Sequence, residues 1–249
     1  MKNPFSLKGK NIIVPIFSSD IGSAVALECN KNGANVILVG DDSATVDLLF
    51  SKLSGDCNME FVINDYNDDS LKSFLNDCPK INGISFNVYP SKNILAKFLT
   101  RRELNAEVDK NVFTPFLVIK MLFKSKKISE KASVVFLSMI SGIKNVHYAD
   151  SLNSITSGAL NAFAKDLALE YSQYGLRVNN INYGVIMTES MMSNSVLTEK
   201  ELNEKQRYFP LKRFGKPEDI AKGVVFLLSD ASSWISGASL IIDGGYSVL

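Results

Sequence analysis

Short apolar runs alternate with amphipathic stretches along the whole chain. The apolar runs predict buried strands at 11–17, 34–40, 59–63, 81–88, 133–138, 177–182 and 238–242. Between them, apolar residues recur at helical spacings, which predicts helices over 21–31, 43–53, 68–78, 101–124, 151–174 and 218–229. We expect Pro115 to kink the fourth helix and Pro217 to open the last one. Strands that alternate with helices predict a parallel sheet covered on both faces, with ligands at the carboxyl ends of its strands.

The helix predicted over 151–174 is the most clearly marked element. Ser151 is a candidate N-cap, and Ala159, Leu160, Phe163 and Leu167 recur at spacings of three and four. Gly175 follows as a stop signal, and the apolar run RVNNINYGVI begins soon after it.

Composition narrows the functional classes. The 249 residues suit a single domain over 1–249, because no low-complexity linker divides the chain. A net charge of +1 gives no electrostatic basis for binding nucleic acid or an anionic membrane. No apolar run reaches the roughly 18 residues of a membrane span. The N-terminal stretch lacks the features of a signal peptide, so we expect a cytoplasmic protein. Three scattered cysteines and one histidine, His147, argue against a metal site.

Two long stretches carry a family resemblance. The segments KDLALEYSQYGLRVN (165–179) and PLKRFGKPEDIAKGVVFLLSDASSWISGASLIIDGG (210–245) resemble the short-chain dehydrogenases/reductases, closest in style to the ketoacyl-carrier-protein reductase branch. The resemblance implies a doubly wound, three-layer, Rossmann-like fold with a parallel seven-stranded sheet. It implies hydride transfer between a nicotinamide dinucleotide and a carbonyl or alcohol, in a dimer or tetramer. Residues 189–209 match the family's lid over the substrate.

The first helix start departs from the family's dinucleotide loop, Thr-Gly-x-x-x-Gly-x-Gly. The matching cofactor positions include Ser18, Asp20, Ile21 and Gly22, and only Gly22 keeps a family glycine. Ile16 replaces the first glycine, where the backbone is expected to turn tightly. Asp20 replaces the second glycine at the helix start, where its carboxylate can cap the free amides itself and repel a phosphate.

The resemblance places the remaining cofactor positions at Asp41, Asp65, Asn87, Ile186 and Thr188. Asp41 would repel a 2′-phosphate and can bind ribose hydroxyls, although a solvated turn is the simpler interpretation. Asp65 matches the family aspartate that meets the adenine. Bulky Val88 and Tyr89 follow Asn87 where the family has small residues. Ile186 and Thr188 match the residues that hold the nicotinamide amide.

The catalytic positions depart more strongly. The family Tyr-x-x-x-Lys falls at Asn153 and Ser157, and the family serine falls at Met139, with Ser138 beside it. The helix asparagine is kept as Asn111. Asn153 can hydrogen-bond a carbonyl but cannot protonate an alkoxide, and Ser157 is short and uncharged.

A substitute acid would have to come from elsewhere in the crevice. His147 and Tyr148 precede the long helix on the ligand side of the sheet and are the candidates, with exposed loop residues as the simpler interpretation.

Our leading hypothesis is therefore a protein that has lost nicotinamide-dependent redox catalysis and binds no such cofactor. It would serve as a binding, scaffold or partner subunit, either in a homo-oligomer or together with an active reductase. The alternative is an active NAD(P)-dependent carbonyl or ketoacyl reductase, binding NAD or NADP, with a shifted proton donor such as Tyr148 or His147. A third hypothesis is an enzyme of another class that uses the same pocket.

Overall fold

The strands form one parallel sheet. A computed structural model describes residues 3–16, 20–63, 68–89, 91–144, 148–189, 191 and 199–249. The seven strands follow the order β3-β2-β1-β4-β5-β6-β7, and every neighbouring pair is parallel. Their bounds are β1 Asn11–Pro15, β2 Asn35–Gly40, β3 Met59–Val62, β4 Ile81–Phe86, β5 Ile128–Met139, β6 Arg177–Tyr183 and β7 Ser239–Ile242. This arrangement confirms the predicted doubly wound α/β fold.

Helices connect the strands. Their bounds are α1 Asp20–Lys31, α2 Ser43–Phe50, α3 Asp68–Asp77, α4 Arg101–Val108, α5 Thr114–Lys124, α6 Ser151–Glu170, α7 Glu199–Gln206 and α8 Pro217–Leu228. Short 3₁₀ turns lie at Ala96–Phe98, Ile140–Gly142, Ser172–Tyr174, Asp230–Ser232 and Tyr246–Val248. Across the described residues, no helix combines the length and the apolar character that crossing a bilayer requires.

The region predicted as one helix over 101–124 contains two helices. A π-helical turn at Asp109–Phe113 separates α4 from α5, and Pro115 lies in the first turn of α5. Proline is tolerated there because the first amides of a helix have no intrahelical acceptor. The chain therefore stays helical across this region, and its irregularity is the π turn that precedes Pro115.

The ends of α6 also differ from the prediction. Asp150 occupies the N-cap position that we expected for Ser151. The α-helix ends at Glu170, and the 3₁₀ turn Ser172–Tyr174 carries the chain to Gly175, whose φ of 70° is left-handed. A glycine adopts this conformation without the steric cost of a Cβ, which explains the stop signal.

The core lies on both faces of the central strands. Ile12, Ile84 and Phe136 are fully buried. A Cβ on Gly83 would lie 2.8 Å from Ile12 Cδ1 and 2.9 Å from Leu228 Cδ2, so α8 packs closely on the sheet at this glycine. Strands β2 and β3 are added on one side of β1, and β4 to β7 follow on the other side, so the strand order switches between β1 and β4. In such folds the ligand crevice lies at this switch point.

Candidate functional site

The carboxyl ends of the parallel strands meet at one edge of the sheet. The edge comprises Ile16 after β1, Asn87 after β4, Met139 at the end of β5 and Gly184 after β6. Because α1 and α6 follow β1 and β5, both begin at this edge. The crevice between them is the candidate site.

The side chain of Ile16 points into the core. Ile16 is 1 % exposed, and a Cβ on Gly40 would lie 3.2 Å from its Cγ1. Ile16 is also absent from the residues with positive φ, so the chain accommodates it without left-handed backbone. Gly22 makes the close approach of α1 to β1, since a Cβ there would lie 3.0 Å from Ile16 Cα. The Ile16 side chain therefore packs beside Gly40 inside the core.

Asp20 joins two segments that are distant in sequence. It is the first residue of α1, and its Oδ2 accepts a hydrogen bond from the backbone N–H of Glu189, in the segment after β6. A diphosphate in a dinucleotide fold lies at this helix start and needs its backbone donors. A carboxylate that already accepts from an amide there does not fit a diphosphate group. Ser18 lies outside the described residues, and Ile21 is buried beside Asp20.

The acidic pair after β2 has two different environments. Asp41 is exposed at the end of the strand. Asp42 caps α2, because its Oδ2 accepts from the Thr45 backbone N–H at 2.8 Å, and hydrogen bonds from Thr45 lower the pKa of Asp42. Asp65 lies outside the described residues.

Asn111 holds the chain that leaves β4. Its Oδ1 accepts from the Tyr89 backbone N–H at 2.6 Å, and its Nδ2 donates to Glu107 Oε1, also at 2.6 Å. The side-chain amide of Asn111 is therefore already hydrogen-bonded to other groups of the chain. Sequence reasoning missed Glu107, although its spacing of four residues from Asn111 places both on one helix face. Asn87 is 4 % exposed, and neither its Oδ1 nor its Nδ2 has a partner among the described residues.

The positions assigned to the family serine and lysine are joined to each other. Ser157 is buried on α6, and its Oγ accepts from the Met139 backbone N–H at 3.0 Å. A Cβ on Gly142 would lie 2.5 Å from Ser157 Cβ, so the turn after β5 presses directly on α6. Ser138 is fully buried, and its Oγ accepts from Asn182 Nδ2 at 2.7 Å.

Asn153 is buried one turn before Ser157. Its Nδ2 donates to Asp150 Oδ1 at 2.6 Å. Sequence reasoning missed Asp150; its place before the helix would have marked it only as a cap. Of the two proposed substitute acids, Tyr148 is 86 % exposed and His147 lies outside the described residues.

The segment after β6 is packed onto the loop before α8. Ile186 pairs with Gly215, where the Met187 backbone N–H donates to the Gly215 carbonyl at 2.8 Å. Thr188 Oγ1 accepts from the Met191 backbone N–H at 3.1 Å. A neighbouring cavity of about 190 Å³ is lined in part by Ile186 and Arg213. Within 189–209 the structure describes Glu189, Met191 and the residues from 199 onward.

The described side chains do not form a metal centre. In those parts of the chain, no three His, Cys, Asp or Glu side chains are grouped so as to hold an ion. At the end of β6, burial raises the pKa of Tyr183, so its phenol remains protonated across the physiological range.

Comparisons with known proteins place this chain in a family. A family model described as enoyl-(acyl carrier protein) reductase matches residues 17–247. The chain is 27% identical to 3-oxoacyl-[acyl-carrier-protein] reductase FabG of Rickettsia felis, across 96% of the chain and 97% of that protein. It is 30% identical to glucose 1-dehydrogenase 2 of Bacillus subtilis, across 97% of the chain and 96% of that protein. The chain therefore belongs to the short-chain dehydrogenase/reductase family, in the FabG-like branch.

Solved structures agree with this fold. A short-chain type dehydrogenase/reductase from Mycobacterium marinum superposes with a TM-score of 0.85 at 23% identity, covering 99% of this chain and 98% of that one. A short-chain dehydrogenase/reductase from Serratia marcescens gives a TM-score of 0.85 at 21% identity, with 98% and 100% coverage. The names of the sequence relatives favour the reductase hypothesis over the non-catalytic one.

Proposed function

We propose that this chain uses the short-chain dehydrogenase/reductase fold as a binding or partner subunit. The observation that carries this proposal is the burial and hydrogen bonding of Asn153 and Ser157. The resemblance places the family's proton-donating tyrosine at Asn153 and its lysine at Ser157. Both side chains are buried, and each is used in a hydrogen bond within the chain. Asn153 cannot protonate an alkoxide, and Ser157 carries no charge at neutral pH that could replace the lysine. Loss of a positioned acid typically slows such chemistry by ~10²–10⁴-fold.

The charge at the start of α1 supports the same proposal. Asp20 accepts a hydrogen bond from the segment after β6 at the place where a dinucleotide fold holds a diphosphate. A second negative charge brought to this place would be repelled by the first. We expect weak binding of NAD and NADP for this reason.

Exposed apolar side chains supply a surface for a partner. Phe113 and Phe116, at the junction of the π turn and α5, are each about half exposed, as is Ile155 on α6. Trp234 is 99 % exposed. Contiguous exposed apolar side chains mark protein–protein contacts, and Phe113 and Phe116 lie one helical turn apart. The proposed assembly is a homo-oligomer, a dimer or tetramer, or a hetero-oligomer with an active reductase.

The second candidate is an NAD(P)-dependent carbonyl reductase, and the relatives' names favour it. Bound NAD or NADP would carry the hydride, and the chain would supply the proton. The proton donor would be Tyr148, which is exposed, or His147, which lies outside the described residues. Asp41, which is exposed after β2, favours NAD over NADP because a carboxylate repels a 2′-phosphate.

Titration of the purified chain with NADH and NADPH, followed by calorimetry, separates the two candidates. The binding-subunit candidate predicts no saturation by either dinucleotide below about 1 mM; a Kd of about 1 mM corresponds to a binding free energy of about 4 kcal/mol. Sub-millimolar binding together with turnover of a ketone would contradict it and support the second. Under the second candidate with Tyr148 as donor, Tyr148→Phe should abolish turnover while leaving binding intact, and full turnover in this variant would assign the proton to His147.

The partner proposal needs its own measurement. Light scattering of the chain alone, and after co-expression with a reductase of this family, reports the assembly directly. The proposal predicts oligomers larger than a monomer. A monomer under both conditions would contradict it.

A further inference from the structure

Asp150 is a buried carboxylate whose hydrogen bonding is incomplete. It is 5 % exposed, at the N-cap position of α6. Its Oδ1 accepts from Asn153 Nδ2 at 2.6 Å, but its Oδ2 is buried without a partner. Among the described residues, no lysine or arginine forms an ion pair with it.

Capping does not explain this residue. Aspartate is favoured at N-caps because its carboxylate accepts from a backbone N–H in the first turn. The Asp150 side chain makes no such bond, and its backbone, at φ −99° and ψ 20°, is outside the extended region that caps adopt. The Asp150 main chain, by contrast, is used, since its carbonyl accepts from the Ser154 backbone N–H at 2.9 Å.

A second unsatisfied group lies beside the same helix. Ser141 is 5 % exposed, and its Oγ has no hydrogen-bond partner among the described residues. It lies in the turn Ile140–Gly142, which packs against α6 where Gly142 approaches Ser157. Burying polar atoms without partners costs free energy, and functional sites are among the places where proteins retain such costs.

We infer that Asp150 is a ligand-binding residue of this crevice and that it takes a hydroxyl group of a neutral ligand. Its unpaired Oδ2 accepts a hydrogen bond from that hydroxyl. Asp150 and Asn153 offer a carboxylate and an amide, and no lysine or arginine among the described residues forms an ion pair with Asp150. This pair of side chains therefore discriminates against carboxylate and phosphate ligands. The inference rests on the proposed function only in taking this edge of the sheet as the binding site.

Thermal unfolding of the full chain without ligand tests the role of Asp150. Asp150→Asn keeps the shape and removes the unpaired charge, so the Tm should rise by about 2–4 °C. Asp243→Asn is the matched control, because both Asp243 oxygens accept from backbone amides, those of Gly245 and Ser247. The control should lower the Tm. A fall in Tm for both variants would show that Asp150 is structural and would overturn the inference.

Sorbitol and gluconate test the ligand class, because they share a six-carbon polyol chain and differ in charge at one end. We expect calorimetry to show at least tenfold tighter binding of sorbitol than of gluconate by the wild type, and no such preference in Asp150→Asn. An unchanged preference in the variant, or no sorbitol binding by the wild type, would overturn the hydroxyl assignment. NADH titration of the same samples reports separately on the proposed function.

Discussion

Replacing Asp20 by glycine should open the start of α1 to a diphosphate. The substitution removes the carboxylate that accepts from the Glu189 backbone N–H and restores the residue that the family resemblance places there. The cost to folding should be small, since an acidic residue in the first turn of a helix contributes about 0.3–1 kcal/mol. The main consequence is therefore expected in ligand binding.

The expected gain follows from the charge that is removed. A carboxylate about 4 Å from one phosphate charge contributes a repulsion of about 1 kcal/mol in bulk water, and about 4 kcal/mol at an effective dielectric constant of about 20. Asp20 is partly exposed, so the lower half of this range applies. Because about 1.4 kcal/mol corresponds to a factor of ten, NADH should bind at least about fivefold more tightly to Asp20→Gly.

Calorimetric titration with NADH measures this difference, and two variants separate its causes. Asp20→Asn keeps an oxygen that can accept from Glu189 but removes the charge, so its affinity should lie between those of the wild type and Asp20→Gly. Glu28→Gln removes a charge from the other end of α1 and should change nothing. Tight binding by the wild type with no gain in Asp20→Gly would refute the reasoning.

Two further predictions concern stability. A Cβ on Gly142 would lie 2.6 Å from the Ser157 carbonyl carbon, so Gly142→Ala should cost about 1–3 kcal/mol in urea unfolding. Gly158→Ala, whose Cβ would meet its nearest atom at 3.7 Å, should instead gain about 0.5–1 kcal/mol; effects of the same sign would contradict the close packing of the turn on α6. A hydrogen bond from Arg213 lowers the pKa of Asp219 in the folded protein below its value in the unfolded chain. The ionised Asp219 therefore stabilises the fold above the unfolded-state pKa, and this stabilisation is lost as the pH falls through the folded-state pKa. Asp219→Asn should therefore lower the Tm at pH 7 but lose its effect near pH 2, and a constant difference across that range would count against the pair.

Local signals predicted the elements of this protein more reliably than their ends. Gly175 was predicted as the stop after the long helix, and its left-handed φ of 70° confirms the role. The N-cap was predicted at Ser151 but lies at Asp150, whose side chain makes no capping hydrogen bond, so side-chain capping propensity did not set the start of this helix. Pro115 was predicted to kink a helix, and the irregularity of that helix is a π turn that precedes the proline.

The candidate site was predictable in position but not in its contacts. The residues that resemble the family located Asn111, Asn153 and Ser157 at the carboxyl edge of the sheet. The sequence did not reveal that Asn153 donates a hydrogen bond to Asp150 Oδ1, or that the other carboxylate oxygen, Oδ2, is buried and unpaired. Burial of a single atom depends on every element packed around it, and spacing along one helix carries no such information.

The sequence by itself determined the class of fold, because the alternation of apolar runs and helical periodicities is a local property that each segment carries alone. It also determined which residue types stand at the family's functional positions. Only the tertiary structure decided which groups those residues meet, as with Asp20 and the backbone of Glu189, which are 169 residues apart in the chain. The physical reason is that a hydrogen bond between distant segments exists only once the sheet has brought the carboxyl ends of β1 and β6 to the same edge.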